Sequence, residues 1–367
     1  MESSATSGAA RRPFYANLEA LRGIAALLVV LHHLSLNAGS LLASVPILRH
    51  GWLFVDLFFV LSGYVIAAVH AESDATPAAA RRFLIRRFFR LYPLHFATLL
   101  AALAIDLHSG TARLPGYAIM AGMNLTMTHS WGLVPGSVLN GPSWSISTEW
   151  AAYLLFAWIC LATPLVRRRL LILGGVGLLS FAALLVWRGG GLEGDLLFRL
   201  PRCLLSFALG AGVWAWCRGK APLARRSAAA LQLLAGGAMA AMLAGAGLAP
   251  QLTLLMPVIS AAMIAAMVRD PGSAVRRTLE RPIPQWLGRC SYSLYLVHMP
   301  LFRALLLATP GGWPDDPLAA NLWVATALCL LFAAATLTQR WIERPWREFG
   351  RRLADAPARV PATRAAA

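Results

Sequence analysis

The stretch LEALRGIAALLVVLHHLSLNA, residues 18–38, decides the fold of this chain. It is long and apolar enough to cross a membrane as one helix, yet it carries Arg22 and His33. Eleven residues separate the two, so they share one helix face and lie ~16 Å apart along its axis. A guanidinium and an imidazole are costly to expose to lipid. The stretch therefore predicts a membrane helix whose polar face lines a cavity.

The composition of the whole chain is typical of a membrane protein. Of its 367 residues, 58% are hydrophobic and 13% are charged, and the mean hydropathy is +0.61. A soluble domain carries about a quarter charged residues. The net charge of +17 comes mainly from arginines in short runs between apolar segments, which is the pattern of loops on the cytoplasmic side. We predict an all-α integral membrane protein in contact with the lipid bilayer, and no nucleic-acid partner.

About ten segments are long and apolar enough to span a membrane. If the first begins in the cytoplasm, the arginine runs fall on the cytoplasmic side, so we expect both termini there. The predicted organisation is a cytoplasmic tail over 1–16, a transmembrane domain over 17–341 and a cytoplasmic tail over 342–367. The predicted spans are 17–36, 51–70, 91–107, 145–165, 170–187, 196–217, 228–248, 252–268, 286–308 and 321–339.

The stretch LPGYAIMAGMNLTMTHS, residues 114–130, is apolar but short. Counting it as a further span would place Arg167–Arg169 on the outer side, against the charge pattern. We therefore predict a re-entrant or interfacial segment near 114–130. Irregular backbone at membrane depth normally lines a cavity.

Three ionisable residues fall near the outer ends of predicted helices. His33 ends the first helix, Asp56 begins the second, and Glu149 lies in the outer part of the fourth. We expect the three side chains to converge on one outward-facing cavity, because charges inside a membrane are costly and usually paired. The alternative is three separate buried groups, each satisfied by backbone.

A histidine beside a carboxylate can act as a base. The imidazole takes a proton from a hydroxyl, and the carboxylate fixes the tautomer and stabilises the imidazolium that forms. The chain has no G-x-S-x-G nucleophile motif, so the hydroxyl would come from a substrate. The predicted catalytic residues are His33, Asp56 and Glu149. Direct transfer and an acyl-histidine intermediate both stay open.

A second cluster is RRFLIRRFFRLYP, residues 81–93. Arg87 and Arg90 are three residues apart and share a face if this stretch is helical, and Tyr92 follows them. Guanidinium groups bind phosphates through paired hydrogen bonds; the alternative is positive-inside topology with anionic-lipid contact. A phosphate site on the cytoplasmic side of the membrane and a base near its outer side suit a donor with a phosphorylated head and a long reactive arm. Acyl-coenzyme A is such a donor.

Two further motifs lie near the C-terminus. In CSYSLYLVHMPLF, residues 290–302, His298 is expected to line a channel or to cap a kinked turn. In WIERPWREF, residues 341–349, anchoring by the two tryptophans is the favoured interpretation. The five cysteines form no CxxC pair or metal-ligand cluster, so no metal is expected.

Six strings together resemble acyltransferase family 3, the membrane O-acyltransferases of bacterial surface polysaccharides. The resemblance implies about ten helices and transfer of an acyl group, usually acetyl, from cytoplasmic acyl-coenzyme A to a carbohydrate or glycoconjugate hydroxyl outside. It also implies a bacterial inner-membrane location. The strings are LEALRGIAALLVVLHH, WLFVDLFFVLSGYVI, RRFFRLYP, PSWSISTEW, SYSLYLVHMP and WIERPWR.

The same resemblance assigns roles to residues of this chain. It makes His33 the essential histidine and Arg22, Arg87 and Arg90 contacts of coenzyme A, to which we add Tyr92. Ser143, Trp144 and His298 are the candidate contacts for the acceptor substrate. Some family members carry an added C-terminal SGNH-type domain, and we expect none here.

Two other functions compete with acyl transfer as an explanation of the sequence. Ten helices with buried ionisable groups also suit a proton-coupled secondary transporter, although no paired broken helices appear in matching halves. A scaffolding subunit of a polysaccharide export complex would have lost its catalytic groups, and this chain keeps every expected polar residue.

Overall fold

The computed structural model describes residues 16–36, 40–113, 115–134, 138–186, 196–248 and 250–356. Across these ranges the regular structure is helical throughout, and no strand occurs in them. The α-helices are α1 (Ala16–Ser35), α2 (Phe54–His70), α3 (Pro77–His108), α4 (Tyr117–Leu125), α5 (Trp144–Ala162), α6 (Val166–Val186), α7 (Leu196–Cys217), α8 (Arg225–Gly245), α9 (Met256–Val268), α10 (Ala274–Leu279), α11 (Pro282–Ala308), α12 (Pro317–Thr338) and α13 (Arg344–Asp355).

Ten helical stretches of the described chain are long and apolar enough to cross a membrane. They confirm the predicted all-α membrane class and the number of spans. The starting point of α3 differs from the prediction of 91. The helix begins at Pro77, where the Thr76 side chain accepts a hydrogen bond from the Ala79 N–H. Its 32 residues make it ~48 Å long, well beyond a hydrocarbon core of about 30 Å.

The expected non-spanning segment contains α4, a helix of 9 residues that is too short to cross a membrane. It packs on α3 through a small apolar cluster in which Leu99 and Ala102 meet Tyr117 and Met120. The buried His95 ring of α3 reaches the Asn124 carbonyl oxygen with Nε2, at 2.8 Å. The segment is thereby attached to the bundle on the side of α3.

Two helix pairs touch through their backbones at glycine. In α2 and α7, a Cβ added at Gly63 would lie 2.0 Å from the Phe207 carbonyl oxygen, and one at Gly210 would lie 2.0 Å from the Val60 carbonyl oxygen. In α1 and α11, a Cβ on Gly23 would lie 2.4 Å from the Gly288 nitrogen. Small residues permit such close approach of membrane helices. Three helices of these pairs, α1, α2 and α11, line the cavity described below.

The last two helices are joined by a π-helical turn, Gln339–Glu343. Beyond it, α13 packs on the first half of α3. The Phe89 ring stacks on Trp346 with 6.0 Å between ring centroids and meets the edge of Phe349 at 5.2 Å. Arg86 of α3 also forms an ion pair with Asp355 of α13. The arginine-rich part of α3 is therefore held by the C-terminal helix.

Candidate active site

A cavity of about 310 Å³ lies between α1, α2, α3, α5 and α11. Its polar wall combines cations, carboxylates and hydroxyl groups, and the rest of the wall is apolar. This combination suits an anionic ligand with an apolar portion. The polar lining residues are Glu19, Arg22, Ser62, Arg87, Arg90, Ser145, Glu149, Tyr153, Ser291, Tyr292 and Tyr295.

Arg22 is held in place by α11. Its Nε donates to the Ser291 hydroxyl at 2.7 Å, and its Nη2 donates to the Gly288 carbonyl at 3.0 Å. The same carbonyl is within reach because α1 and α11 touch at Gly23 and Gly288. Glu19, one turn earlier, lies 3.6 Å from the guanidinium. A membrane-depth arginine is thus satisfied by backbone, hydroxyl and carboxylate groups together.

Arg87 and Arg90 both face the cavity from α3. The Arg90 guanidinium lies over the Tyr292 ring, 5.0 Å from its centroid, and ion-pairs with Glu343. Arg87 lies over the Tyr153 ring at 5.7 Å, and its buried Nε has no hydrogen-bond partner in the described part of the chain. Since a guanidinium carries five N–H donors, Arg87 has capacity to bind a ligand.

Glu149 lies with the arginines and not with His33. Its Oε1 accepts a hydrogen bond from the Ser62 hydroxyl at 2.6 Å and another from the Tyr153 hydroxyl. The cavity wall includes Glu149 but neither His33 nor Asp56. The predicted convergence of these three residues on one cavity is therefore wrong. Glu149 lies more than one turn inside α5, which brings it to the level of the cavity.

Asp56 is fully buried and has a different partner from the one expected. Arg202 of α7 binds it with two parallel hydrogen bonds of 2.7 Å, from Nε and Nη2. The Ser206 hydroxyl adds a third contact at 3.4 Å. A bidentate arginine satisfies a carboxylate that has no water. The predicted role of Asp56 in orienting His33 is not supported by these contacts.

His33 is half-buried at the end of α1 and contacts a second imidazole. Its Nδ1 lies 2.9 Å from the Val29 carbonyl and 3.3 Å from Nε2 of His298. His298 is fully buried, with its own Nδ1 2.7 Å from the Tyr295 carbonyl. Because a carbonyl oxygen only accepts, neutral His33 donates from Nδ1 and leaves Nε2 basic.

A chain of polar side chains connects the cavity to His33. The Ser145 hydroxyl donates to the Tyr295 hydroxyl at 2.9 Å, and both residues belong to the cavity wall. The Tyr295 ring lies 6.2 Å from the His298 ring, which lies 4.9 Å from the His33 ring. The sequence motif around His298 thus supplies the residue between the cavity and His33.

Three other candidate contacts lie outside the cavity wall. Tyr92 stacks on Phe88 with 4.5 Å between ring centroids, so it belongs to an aromatic column of α3. The Trp144 ring lies under Arg202, 5.8 Å from its guanidinium carbon. Ser143 is fully buried, and its hydroxyl lies 3.2 Å from Nε2 of His129.

The His129 imidazole, which contacts Ser143, is uncharged. Its burial and the nearby His95 lower the pKa of His129 to about 3. The His129 imidazole therefore stays neutral near pH 7 and donates from Nε2 to the Ser143 carbonyl at 3.1 Å. This contact fixes the segment before α5, so Ser143 has a structural partner of its own.

Glu343 is one of the site residues that sequence reasoning missed. It is 3% exposed, whereas the anchoring interpretation of WIERPWREF placed it at the membrane boundary. Trp341 and Trp346 are 66% and 45% exposed, as an anchor requires. The arginine and tryptophans of this motif suggest a position at the membrane boundary. Nothing in the sequence predicts the π-helical turn that directs the Glu343 side chain inward.

Among the described residues, no group of three or more His, Cys, Asp or Glu side chains is placed to hold a metal ion.

The ten candidate spans of the described chain define a polytopic membrane protein, with three arginines on the wall of its cavity. The chain belongs to the acyltransferase family, whose acyltransferase-domain model matches residues 15–340. The resemblance seen in the sequence motifs is thereby confirmed, and the protein is a membrane-embedded enzyme of acyl transfer.

Individual relatives agree with this assignment. Acyltransferase MdmB from Streptomyces mycarofaciens is 29% identical over 387 residues, which cover 95% of both chains. Peptidoglycan O-acetyltransferase OatA from Listeria monocytogenes is 25% identical over 92% of this chain, which spans 57% of that relative's length. A protein named for the picA locus of Rhizobium radiobacter is 41% identical over 86 residues. No solved structure matches the chain.

Proposed function

We propose that the protein transfers an acyl group, usually acetyl in its family, from acyl-coenzyme A to a hydroxyl of a carbohydrate or glycoconjugate. The donor binds on the cytoplasmic side of a bacterial inner membrane, where both termini lie, and the acceptor binds outside. The observation that carries the proposal is the arginine-lined cavity, whose wall residue Tyr295 contacts His298, which in turn contacts His33. A proton-coupled transporter is disfavoured by the family match.

In this proposal the phosphate-bearing end of the donor binds Arg22, Arg87 and Arg90. Planar guanidinium groups form paired hydrogen bonds with phosphate oxygens, and all three line one cavity. The Nε of Arg87, which has no hydrogen-bond partner among the described residues, makes this arginine the strongest candidate for direct contact. The pantetheine arm then extends past the Tyr295 ring toward the two histidines.

His33 acts as the general base. Its Nε2 takes the proton of the acceptor hydroxyl as the oxygen attacks the thioester carbonyl carbon. The carbon–sulfur bond breaks, and the leaving thiolate receives the proton from the imidazolium, so coenzyme A leaves as the thiol. An acyl-histidine intermediate would reverse the order, with His33 attacking first.

The remaining predicted residues have revised roles. His298 orients His33 in place of Asp56, because its imidazole contacts the His33 ring. Glu149 balances the charge of the arginine-lined cavity. Trp144 stays a candidate contact for a sugar ring, since an aromatic face offers an apolar stacking surface. The Arg202 guanidinium of the Asp56–Arg202 pair lies over the Trp144 ring and restricts its movement.

The test is acyl transfer by purified protein in lipid nanodiscs, with labelled acetyl-coenzyme A and a panel of sugar acceptors. We expect His33→Ala to abolish transfer while acetyl-coenzyme A still binds, because the base and the phosphate contacts are separate. His108→Ala is the matched control, since that histidine is exposed at the end of α3. A folded His33→Ala protein that keeps full transfer would overturn the assignment, and solute uptake without acyl consumption would favour a transporter.

A further inference from the structure

Glu343 is a buried carboxylate that lies behind the arginine-lined wall, on the side of Arg90 that faces away from the cavity. It lies on the π-helical turn between α12 and α13 and is 3% exposed. It ion-pairs with Arg90 and accepts a hydrogen bond from the Ser293 hydroxyl at 3.2 Å. Arg347 Nη1 lies 3.7 Å from Oε1 of Glu343, the oxygen that Arg90 binds. Glu343 therefore binds a cavity arginine from the side of α12 and α13.

The π-helical turn accounts for the inward direction of this side chain. A π-turn holds more residues than an α-turn, so it changes which side chains face the bundle, and such turns are frequent at functional sites. The neighbouring Trp341 and Arg344 are exposed, while Glu343 is buried between them. The irregular turn is thus associated with two buried contacts of Glu343, the ion pair to Arg90 and the hydrogen bond from Ser293.

The geometry leaves the cavity side of Arg90 available to a ligand. Glu343 is absent from the cavity wall, whereas Arg90 is part of it. The Tyr292 ring lies 5.0 Å from the Arg90 guanidinium carbon and restricts its movement further. Without Glu343, a buried guanidinium would lose its counter-charge and its fixed direction. A long arginine side chain binds phosphate less well when it is not held in place.

We propose that Glu343 is a positioning residue for the acyl donor: it fixes the Arg90 guanidinium so that the opposite side binds a phosphate of the donor. This inference rests on the proposed function, because it takes a coenzyme A thioester as the donor. It assigns to the C-terminal WIERPWR motif a part in donor affinity and none in the chemical step.

The experiment compares two donors in steady-state transfer by the full chain in nanodiscs. One is acetyl-coenzyme A, and the other is S-acetyl-pantetheine, which has the same thioester but no phosphate. We expect Glu343→Gln to raise the KM for acetyl-coenzyme A about tenfold, as for the loss of one charge-assisted contact. The kcat should stay within about twofold, and the KM for the phosphate-free donor should not change.

A matched control and a double variant separate positioning from a general structural effect. Glu348→Gln removes a surface acid of α13 whose partners are Arg344 and Arg351, and it should leave both KM values unchanged. Arg90→Gln should raise the KM for acetyl-coenzyme A, and adding Glu343→Gln should raise it no further. The double variant also removes the uncompensated charge if Glu343→Gln alone does not fold.

The possible outcomes distinguish failure of the positioning role of Glu343 from failure of the proposed function. An unchanged KM for acetyl-coenzyme A in Glu343→Gln, equal losses with both donors, or additive effects in the double variant would each overturn the positioning role. In those cases an active wild-type protein leaves the proposed function standing. A folded wild-type protein that uses neither donor overturns the proposed function and this inference together.

Discussion

Arg87 is the cavity arginine whose environment leaves most room for a ligand. Two aromatic rings flank it, Phe83 at 5.8 Å and Tyr153 at 5.7 Å from its guanidinium carbon. Its buried Nε has no hydrogen-bond partner in the described ranges. Buried polar groups nearly always have partners, so an exception needs an explanation. A bound phosphate is the explanation that fits the proposed donor.

We predict that Arg87→Ala weakens acetyl-coenzyme A binding roughly tenfold to hundredfold, since a charge-assisted hydrogen bond contributes about 1.5–3 kcal/mol. Titration calorimetry of the purified protein measures this directly. Arg86→Ala is the control, because Arg86 pairs with Asp355 and does not line the cavity. Equal dissociation constants for the wild-type protein and Arg87→Ala would remove Arg87 from the site.

Single residues were predictable from sequence where their helix face decides their position. The cavity wall includes Arg22, Arg87 and Arg90, all of which the motifs selected. The Asp56–Arg202 pair was missed because its members lie on helices whose packing no local pattern encodes. Glu149 was misplaced for a related reason: depth along a helix was estimated from span ends, which are uncertain by a few residues.

At the level of elements, the close contact of α2 with α7 sets one side of the cavity. Gly210 faces the α2 backbone, whereas Gly212 on the same helix has no atom within 4 Å of where its Cβ would be. The two positions therefore form a natural pair for testing the contact. Both lie inside a helix, so alanine has the same intrinsic advantage over glycine at each.

We predict that Gly210→Ala lowers the free energy of unfolding by about 1–3 kcal/mol, the usual effect of overpacking a close contact. Gly212→Ala should leave it unchanged or raise it by up to about 1 kcal/mol, because only the helix preference of alanine acts there. Thermal unfolding followed by tryptophan fluorescence in nanodiscs measures both, because the chain has 13 tryptophans. Equal stabilities of the two variants would show that the α2–α7 contact is not as tight as described.

Helix number was easier to predict than helix ends. Long apolar runs identify a span because the bilayer imposes a minimum length. A criterion based on apolar length excludes the arginine run before residue 91, so it predicts that α3 begins there. The helix in fact begins at Pro77. The arginines there form part of a helix because α13 packs against them, and this tertiary contact has no local sequence signal.

At the scale of the whole molecule, charge is distributed unevenly between the two ends of the bundle. The turn around α10 carries Arg276, Arg277 and Arg281, and the turn between α11 and α12 carries Asp315 and Asp316. The positive-inside rule predicts that the first is cytoplasmic and the second is external. In the proposed function, the cavity that Arg22, Arg87 and Arg90 line therefore takes its donor from the cytoplasmic side.

We predict that a cysteine at Asp315 is labelled by a membrane-impermeant maleimide in intact cells, and that one at Thr278 is labelled only after permeabilisation. Both positions are exposed. The background is a Cys329→Ser protein, because Cys329 is the exposed cysteine while Cys160, Cys203, Cys217 and Cys290 are buried. The reverse labelling pattern would contradict the proposed orientation and with it the cytoplasmic donor.

The glycine contacts between α1 and α11 and between α2 and α7 have a consequence for how such an enzyme diversifies. The spacing of these helices is fixed by main-chain contacts at glycine, which an exchange at another wall position leaves in place. Apolar lining residues such as Phe58 and Ile146 can therefore be replaced by smaller or larger ones without changing the spacing of these helices. Preference for a short or a long acyl chain can thus evolve inside an invariant scaffold.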